Sequence, residues 1–201
     1  MAILDAIAPA PRRELKIFFV VDASERIGSP LAGLNHYALE ECIRSIKKKR
    51  VDSDDYEMQI AILQFGACSW ITSEEGPVSI DEIDVIDMPK SGMKGLKNAL
   101  QNLDRKLSRN AFLNSQYGMY TPVIIFIGSG NSAEDIESEI ACIRQNNWFK
   151  HALKFAVKTD VHASNEVFNK ITGNPETVIS IDSISSFDML YRMFARDSFV
   201  S

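Results

Sequence analysis

The sequence is poor in the residues that carry redox and metal chemistry. Its 201 residues hold three cysteines (Cys42, Cys68, Cys142) and three histidines (His36, His151, His162). The cysteines are far apart, and no Cys-x-x-Cys pair or Cys/His cluster exists, which excludes the usual zinc and dithiol motifs. An odd cysteine count without a secretory leader points to a reducing cytosol. Residues 1–11 are weakly apolar, but Asp5 and two prolines interrupt them and no cationic start precedes them. No run of about 18 apolar residues is present, so no transmembrane span is expected. The phosphate-cradling loops Gly-x-x-x-x-Gly-Lys-Ser/Thr and Gly-x-Gly-x-x-Gly are missing. Positive charge is also in deficit: 22 Lys and Arg against 27 Asp and Glu leave a net charge of −5, which argues against nucleic-acid binding.

What is present is the patterning of one α/β domain. Apolar residues make up 45% of the chain and charged residues 24%, the balance of a globular protein with a core of useful size. Residues 15–21 (LKIFFVV) and 122–127 (PVIIFI) are continuous apolar runs, the signature of strands buried on both faces. Residues 56–65 (YEMQIAILQF) form another strand, with 68–72 returning beside it as a hairpin, and 153–157 and 178–181 complete the set. Between them, 31–49 has helical spacing, with Leu34, Ala38, Cys42 and Ile46 on one stripe and Leu39 and Ile43 beside it. Residues 96–107 (Leu96, Leu100, Leu103, Leu107 on one face), 133–146 with Ser132 as N-cap, 165–171 ended by Gly173, and 185–195 are further helices. Residues 74–90 read as an acidic loop and 108–120 as a polar connector. Alternating strands and helices predict a three-layer, doubly wound α/β fold with a mostly parallel sheet. In such sheets ligands bind beyond the carboxyl ends of the strands, so the loops after Val21, Phe65 and Ile127 and the segment before Leu96 are where chemistry is sought.

Several features have a plain reading beside a functional one. Lys47-Lys48-Lys49-Arg50 closes a helix and complements its dipole, with a binding patch as the alternative. The carboxylates Asp52, Asp54, Asp55, Glu74, Glu75, Asp81, Glu82, Asp84 and Asp87 read as solvated surface, with an acidic docking face as the alternative. Nothing in the spacing brings a histidine against a cysteine or serine, so no catalytic residue is assigned. Gly128-Ser129-Gly130 is a tight turn, or else an anion cradle. Trp70 and Trp148 anchor the core by default. If exposed near a strand end, Trp70 would be a contact hot spot.

The first strand runs into Asp22-Ala23-Ser24-Glu25-Arg26. A hydrophobic strand ending in Asp-x-Ser resembles the opening of the metal-ion-dependent adhesion site of von Willebrand factor A domains. The segment Ser91-Gly92-x-x-Gly95-Leu96-x-x-Ala99-Leu100 and the strand ending in Gly128-Ser129-Gly130 fall where that family has its second and third loops. Phe155-Ala156-Val157, Phe168-Asn169-Lys170-Ile171-Thr172-Gly173 and the helical pattern 187–194 are similar to the bacterial TerY-like group. The resemblance covers residues 15–200, so 1–14 is set aside as an N-terminal extension and 15–201 as the domain.

The resemblance implies a divalent cation held by an Asp, two Ser hydroxyls, a Thr hydroxyl and a second Asp, with an open position for a partner's carboxylate. Here Asp22 and Ser24 remain as residual ligands. Arg26 stands for the second serine, Lys94 for the threonine, and Ser129 for the second aspartate. A fixed cation beside magnesium costs about 4 kcal/mol per close unit pair at an effective dielectric near 20. The expectation is therefore a degenerate site that binds no metal and no cofactor. Arg26 or Lys94 would pair with Asp22 in place of the ion, or both would point to solvent. The family likeness implies a non-enzymatic, cytoplasmic protein-binding module of bacterial stress-response or tellurite-resistance systems, with a kinase-like or phosphatase-like partner. Asp22, Ser24, Arg26, Lys94, Ser129 and Trp70 are the expected contact residues. The alternative is a Rossmann-like small-molecule or nucleotide-binding protein, with or without catalysis.

Overall fold

A computed structural model describes residues 11–50, 56–84, 86–88, 92–93, 95–131 and 134–181, without the side chains of Arg26, Ser29, Lys49 and Arg50. The expected helix 185–195 lies outside the described residues.

The strand β1 (Arg13–Asp22) is central because its run Ile17–Val21 is apolar on both faces and needs no wet side. It runs parallel to β2 (Tyr56–Phe65) on one side and β5 (Val123–Gly128) on the other. Outside β5 lie β6 (Leu153–Lys158) and then β7 (Val178–Ser180), both parallel. The outer edge of β2 carries two antiparallel strands of two residues each, β3 (Ser69–Trp70) and β4 (Val78–Ser79). The order is β3-β2-β1-β5-β6-β7, with β4 beside β2, a mixed and mostly parallel sheet.

Alternation along the strands feeds two cores. Leu15, Ile17, Phe19 and Val21 pack with Ile60, Ile62, Ile125 and Ile127 under the helix α1 (Gly28–Arg50). Phe18 and Val20 pack with Leu63, Ile124 and Phe126 under α2 (Leu96–Lys106), α3 (Glu137–Ile143), α4 (Asn147–His151) and α5 (Glu166–Thr172). Helices therefore cover both faces. The helical stripe of α1 buries Ala38, Leu39, Cys42, Ile43 and Ile46, as its spacing predicts. Lys16 is buried within β1, yet its stem carries the ammonium to the carbonyls of Phe112 (3.2 Å) and Asn114 and to the Glu14 carboxylate at 3.0 Å.

Some elements differ from the sequence expectation. The first strand starts at Arg13, not residue 15, and α1 starts at Gly28, not residue 31. The expected helix 133–146 is only Glu137–Ile143, and its proposed cap Ser132 lies outside the described residues. It stops because Asn146 turns its side chain to the Trp148 N–H (2.9 Å) and starts α4 instead. The expected loop 74–90 contains β4. The polar connector 108–120 buries Phe112 and Leu113 against the sheet.

Cys42 has no exposed surface, and burial pushes its thiol up to about 12. Unfolding frees it to ionise at the ordinary thiol pKa of about 8.5. The unfolded chain then binds fewer protons than the native one, so this contribution to stability is complete below that pH and lost as pH rises toward 12. A thiol reagent at neutral pH is expected to label Cys142, which is exposed, and more slowly Cys68, but Cys42 only after denaturant. Fast native labelling of Cys42, read by peptide mass, contradicts this placement.

Candidate functional site at the carboxyl end of the sheet

The register sets Asp22 beside Phe65, and Val21 beside Ile127, so β1, β2 and β5 end at one level. The loops that follow converge there. A cavity of about 300 Å³ lies between them, lined by Asp22, Ser24, Phe65, Gly95, Ser129 and Glu134 among others. The segments singled out from the sequence thus meet at one crevice, joined by the start of α5 through Val167 and Phe168.

Asp22, Ser24 and Ser129 are each at most 5% exposed. The Asp22 Oδ1 accepts the Ser24 N–H at 3.0 Å and the Ser24 hydroxyl at 2.7 Å, a closed Asx turn. Asn35 donates its amide to the Asp22 carbonyl at 2.6 Å and accepts the Thr159 hydroxyl. It thereby ties the end of β1 to the segment after β6, across the end of β5. Ser129 Oγ accepts the Asn131 N–H at 3.2 Å, and Asn131 in turn donates to Asp160 at 3.2 Å. Backbone bonds stitch the loops together: Ala23 N–H to the Phe65 carbonyl (3.3 Å) and Glu25 N–H to the Gly92 carbonyl (3.1 Å).

Glu134 is the unexpected member. Gly95 caps α2 without a side chain, which leaves the first-turn N–H groups in need of acceptors. The Glu134 carboxylate supplies one, accepting the Lys97 N–H at 3.3 Å, where the helix dipole favours negative charge. It sits so close that a β-carbon on Gly95 would lie 2.1 Å from its Oε2. Below it, Lys97 Nζ meets Glu139 at 3.0 Å, and this bond, with the Ser138 hydroxyl, holds the Glu139 carboxyl below its ordinary range.

Of the six residues expected at the surface of contact, Asp22, Ser24 and Ser129 line the crevice. The backbone of Arg26 lies in a 3-10 turn (Glu25–Ile27), but its side chain is outside the described residues, as is Lys94 entirely. The expected pairing of either with Asp22 therefore lies outside the described residues. Trp70 is buried and not exposed at the surface, as a contact hot spot there would require. It is 5% exposed, stacked edge-on against Phe112 and Phe18, with its indole N–H on Asn102. Its hairpin folds inward over the α2 face, which the strand pattern of residues 68–72 does not show. Asn35, Thr159 and Glu134 were missed from the sequence. Only Asn35 left a trace there, a polar residue on the buried stripe one turn before Ala38 and Leu39.

No protein-family profile matches the chain, and no curated protein does. Solved structures do. Proximal thread matrix protein 1 from the mussel byssus is 20% identical, over 92% of this chain and 45% of its own length, with a TM-score of 0.55. Its form with a zinc-occupied MIDAS motif is 19% identical over 92% of this chain and 44% of its own, TM-score 0.52. The pilus adhesin SpaC from Lactobacillus rhamnosus GG is 11% identical over 93% of this chain and 31% of its own, TM-score 0.61. The fold is of the von Willebrand factor A type. The chain spans less than half the length of each of these proteins. In von Willebrand factor A terms, the crevice is the place where the sequence resemblance puts the adhesion site. Among the described residues no group of three or more His, Cys, Asp and Glu is placed to hold a metal, and no helix is long and apolar enough to cross a membrane.

Proposed function

We propose that this chain is a non-enzymatic protein-binding module whose crevice has lost its metal and takes a partner's carboxylate directly. The observation that carries the reading is the wiring of the donors. Asp22 Oδ1 is already engaged by Ser24, Ser129 is a neutral hydroxyl bonded to Asn131, and Glu134 is committed to the start of α2. This set does not fit a hard dication, which needs six or so oxygens and at least one further carboxylate aimed at it. Arg26 and Lys94 supply positive charge by sequence in the two loops where relatives of this fold carry hydroxyls. A matrix protein and a pilus adhesin as structural neighbours agree with a binding role. The TerY-like stretches extend the proposal to a bacterial cytosolic setting in stress-response or tellurite-resistance-like systems, with a kinase-like or phosphatase-like partner.

The test is thermal. Millimolar magnesium leaves the melting temperature of the native chain unchanged, while the triple variant Arg26→Ser, Lys94→Thr, Ser129→Asp gains a magnesium-dependent rise. Capture of the cognate partner is weakened by Arg26→Ala with Lys94→Ala and unaffected by EDTA. Magnesium stabilisation of the native chain, or loss of capture on chelation, overturns the metal-free reading. Stabilisation by a nucleotide favours the Rossmann-like ligand-binding alternative instead.

A further inference from the structure

A second depression lies away from the crevice, where β2 meets its short outer strands. Ile62 of β2 forms its floor, and Ile71, Val78, Ile83 and Ile86 form its walls around a cavity of about 260 Å³, with Glu82 at the lip. Ile71 and Ile83 pack against the α1-side core yet remain partly open to solvent. Ile83 and Ile86 are shared with a smaller hollow of about 180 Å³ beside α1, lined also by Glu40, Asp84, Arg44 and Lys47. Together they make an apolar groove with an isoleucine ridge.

The chain segment that walls this groove carries charge of one sign. Glu74, Glu75, Asp81, Glu82, Asp84 and Asp87 are all exposed. Residues 71–88 contain no lysine or arginine. Three cations approach from the neighbouring helices: Lys47 donates to the Ile83 carbonyl, Arg44 pairs with Glu41, and Lys106 donates to the Glu74 carbonyl. The six carboxylates of the segment outnumber these cations, so the groove's surroundings are net negative. Apolar residues at the floor with carboxylates at the rim match the layout of a protein-binding surface, in which the centre supplies burial and the rim supplies selection and on-rate.

We infer that this groove is a docking site for a basic peptide segment, one with a branched aliphatic side chain flanked by lysines or arginines. The aliphatic anchor enters between Val78 and Ile83, and the flanking cations lie over Glu82 and Asp84. The site is separate from the crevice and stands whether or not the reading of the crevice holds.

The four isoleucines of the groove allow a direct test by methyl NMR on the intact chain labelled at isoleucine δ1. The probe is a capped hexapeptide, Lys-Lys-Leu-Ile-Lys-Lys. The controls are Glu-Glu-Leu-Ile-Glu-Glu and Lys-Lys-Ser-Ser-Lys-Lys. The lysine–leucine probe is expected to shift the methyls of Ile71, Ile83 and Ile86 and to leave Ile125 and Ile127 unmoved. Glu82→Lys with Asp84→Lys, both at exposed positions, raises its Kd about tenfold. Three results overturn the proposal: no shift with millimolar probe, an equal response to either control, or shifts spread across the sheet rather than confined to the groove.

Discussion

Replacing Trp70 with alanine is expected to lower the unfolding free energy by about 3–5 kcal/mol, the range for an aromatic residue removed from a packed core. Three losses combine. The indole stacks edge-on to Phe112 at 4.7 Å between centroids and to Phe18 at 6.4 Å. Its removal opens a cavity beneath α2 that the rigid sheet cannot close. Its N–H also leaves the Asn102 Oδ1, 3.2 Å away, without that donor, while Asn102 still holds the Cys68 carbonyl at 3.1 Å. Trp70→Phe keeps most of the ring and loses the hydrogen bond, so it should cost about 1–2 kcal/mol. Urea denaturation measures both. A contact residue would show the opposite pattern, with stability kept and binding lost. An alanine variant as stable as the parent would return Trp70 to the surface.

Asn35→Ala has the other large expected effect, about 2–6 kcal/mol, because it removes a partner from two buried groups and each costs about 1–3 kcal/mol. The Asp22 carbonyl loses its amide donor and the Thr159 hydroxyl loses its acceptor. Asn35→Asp keeps an acceptor for Thr159 but turns a carboxylate toward the Asp22 carbonyl, so it does not rescue. The damage should be local before it is global. Hydrogen exchange at the Ser24 amide, now held by Asp22 Oδ1, should speed up by more than the change in global stability explains. Unchanged Ser24 exchange would mean that Asn35 does not brace the crevice.

The two variants differ in how far the sequence announces them. Val and Ile on both faces of β1 and β5 leave no solution but a sheet covered on both sides, and the 3.6-residue stripe of α1 leaves only one face to bury. Asp22 and Ser24, two residues apart, form their turn without outside help. Trp70 was ambiguous because a hairpin strand has two faces and the sequence does not say which one the chain folds over. The groove by β4 was hidden as well: residues 74–90 have carboxylates and isoleucines, but their pattern does not reveal that Ile62 lies beneath them.

Local order along the chain determined the strands, the helices and the level at which the loops emerge, because periodicity and burial act between near neighbours. Only the tertiary structure decided which polar groups meet at that level. Asn35 finds Thr159 across 124 residues and Glu134 finds the start of α2 across 37. Such pairings are set by where the packed sheet brings separate loops, and a hydrogen bond between distant residues leaves no period in the sequence to read.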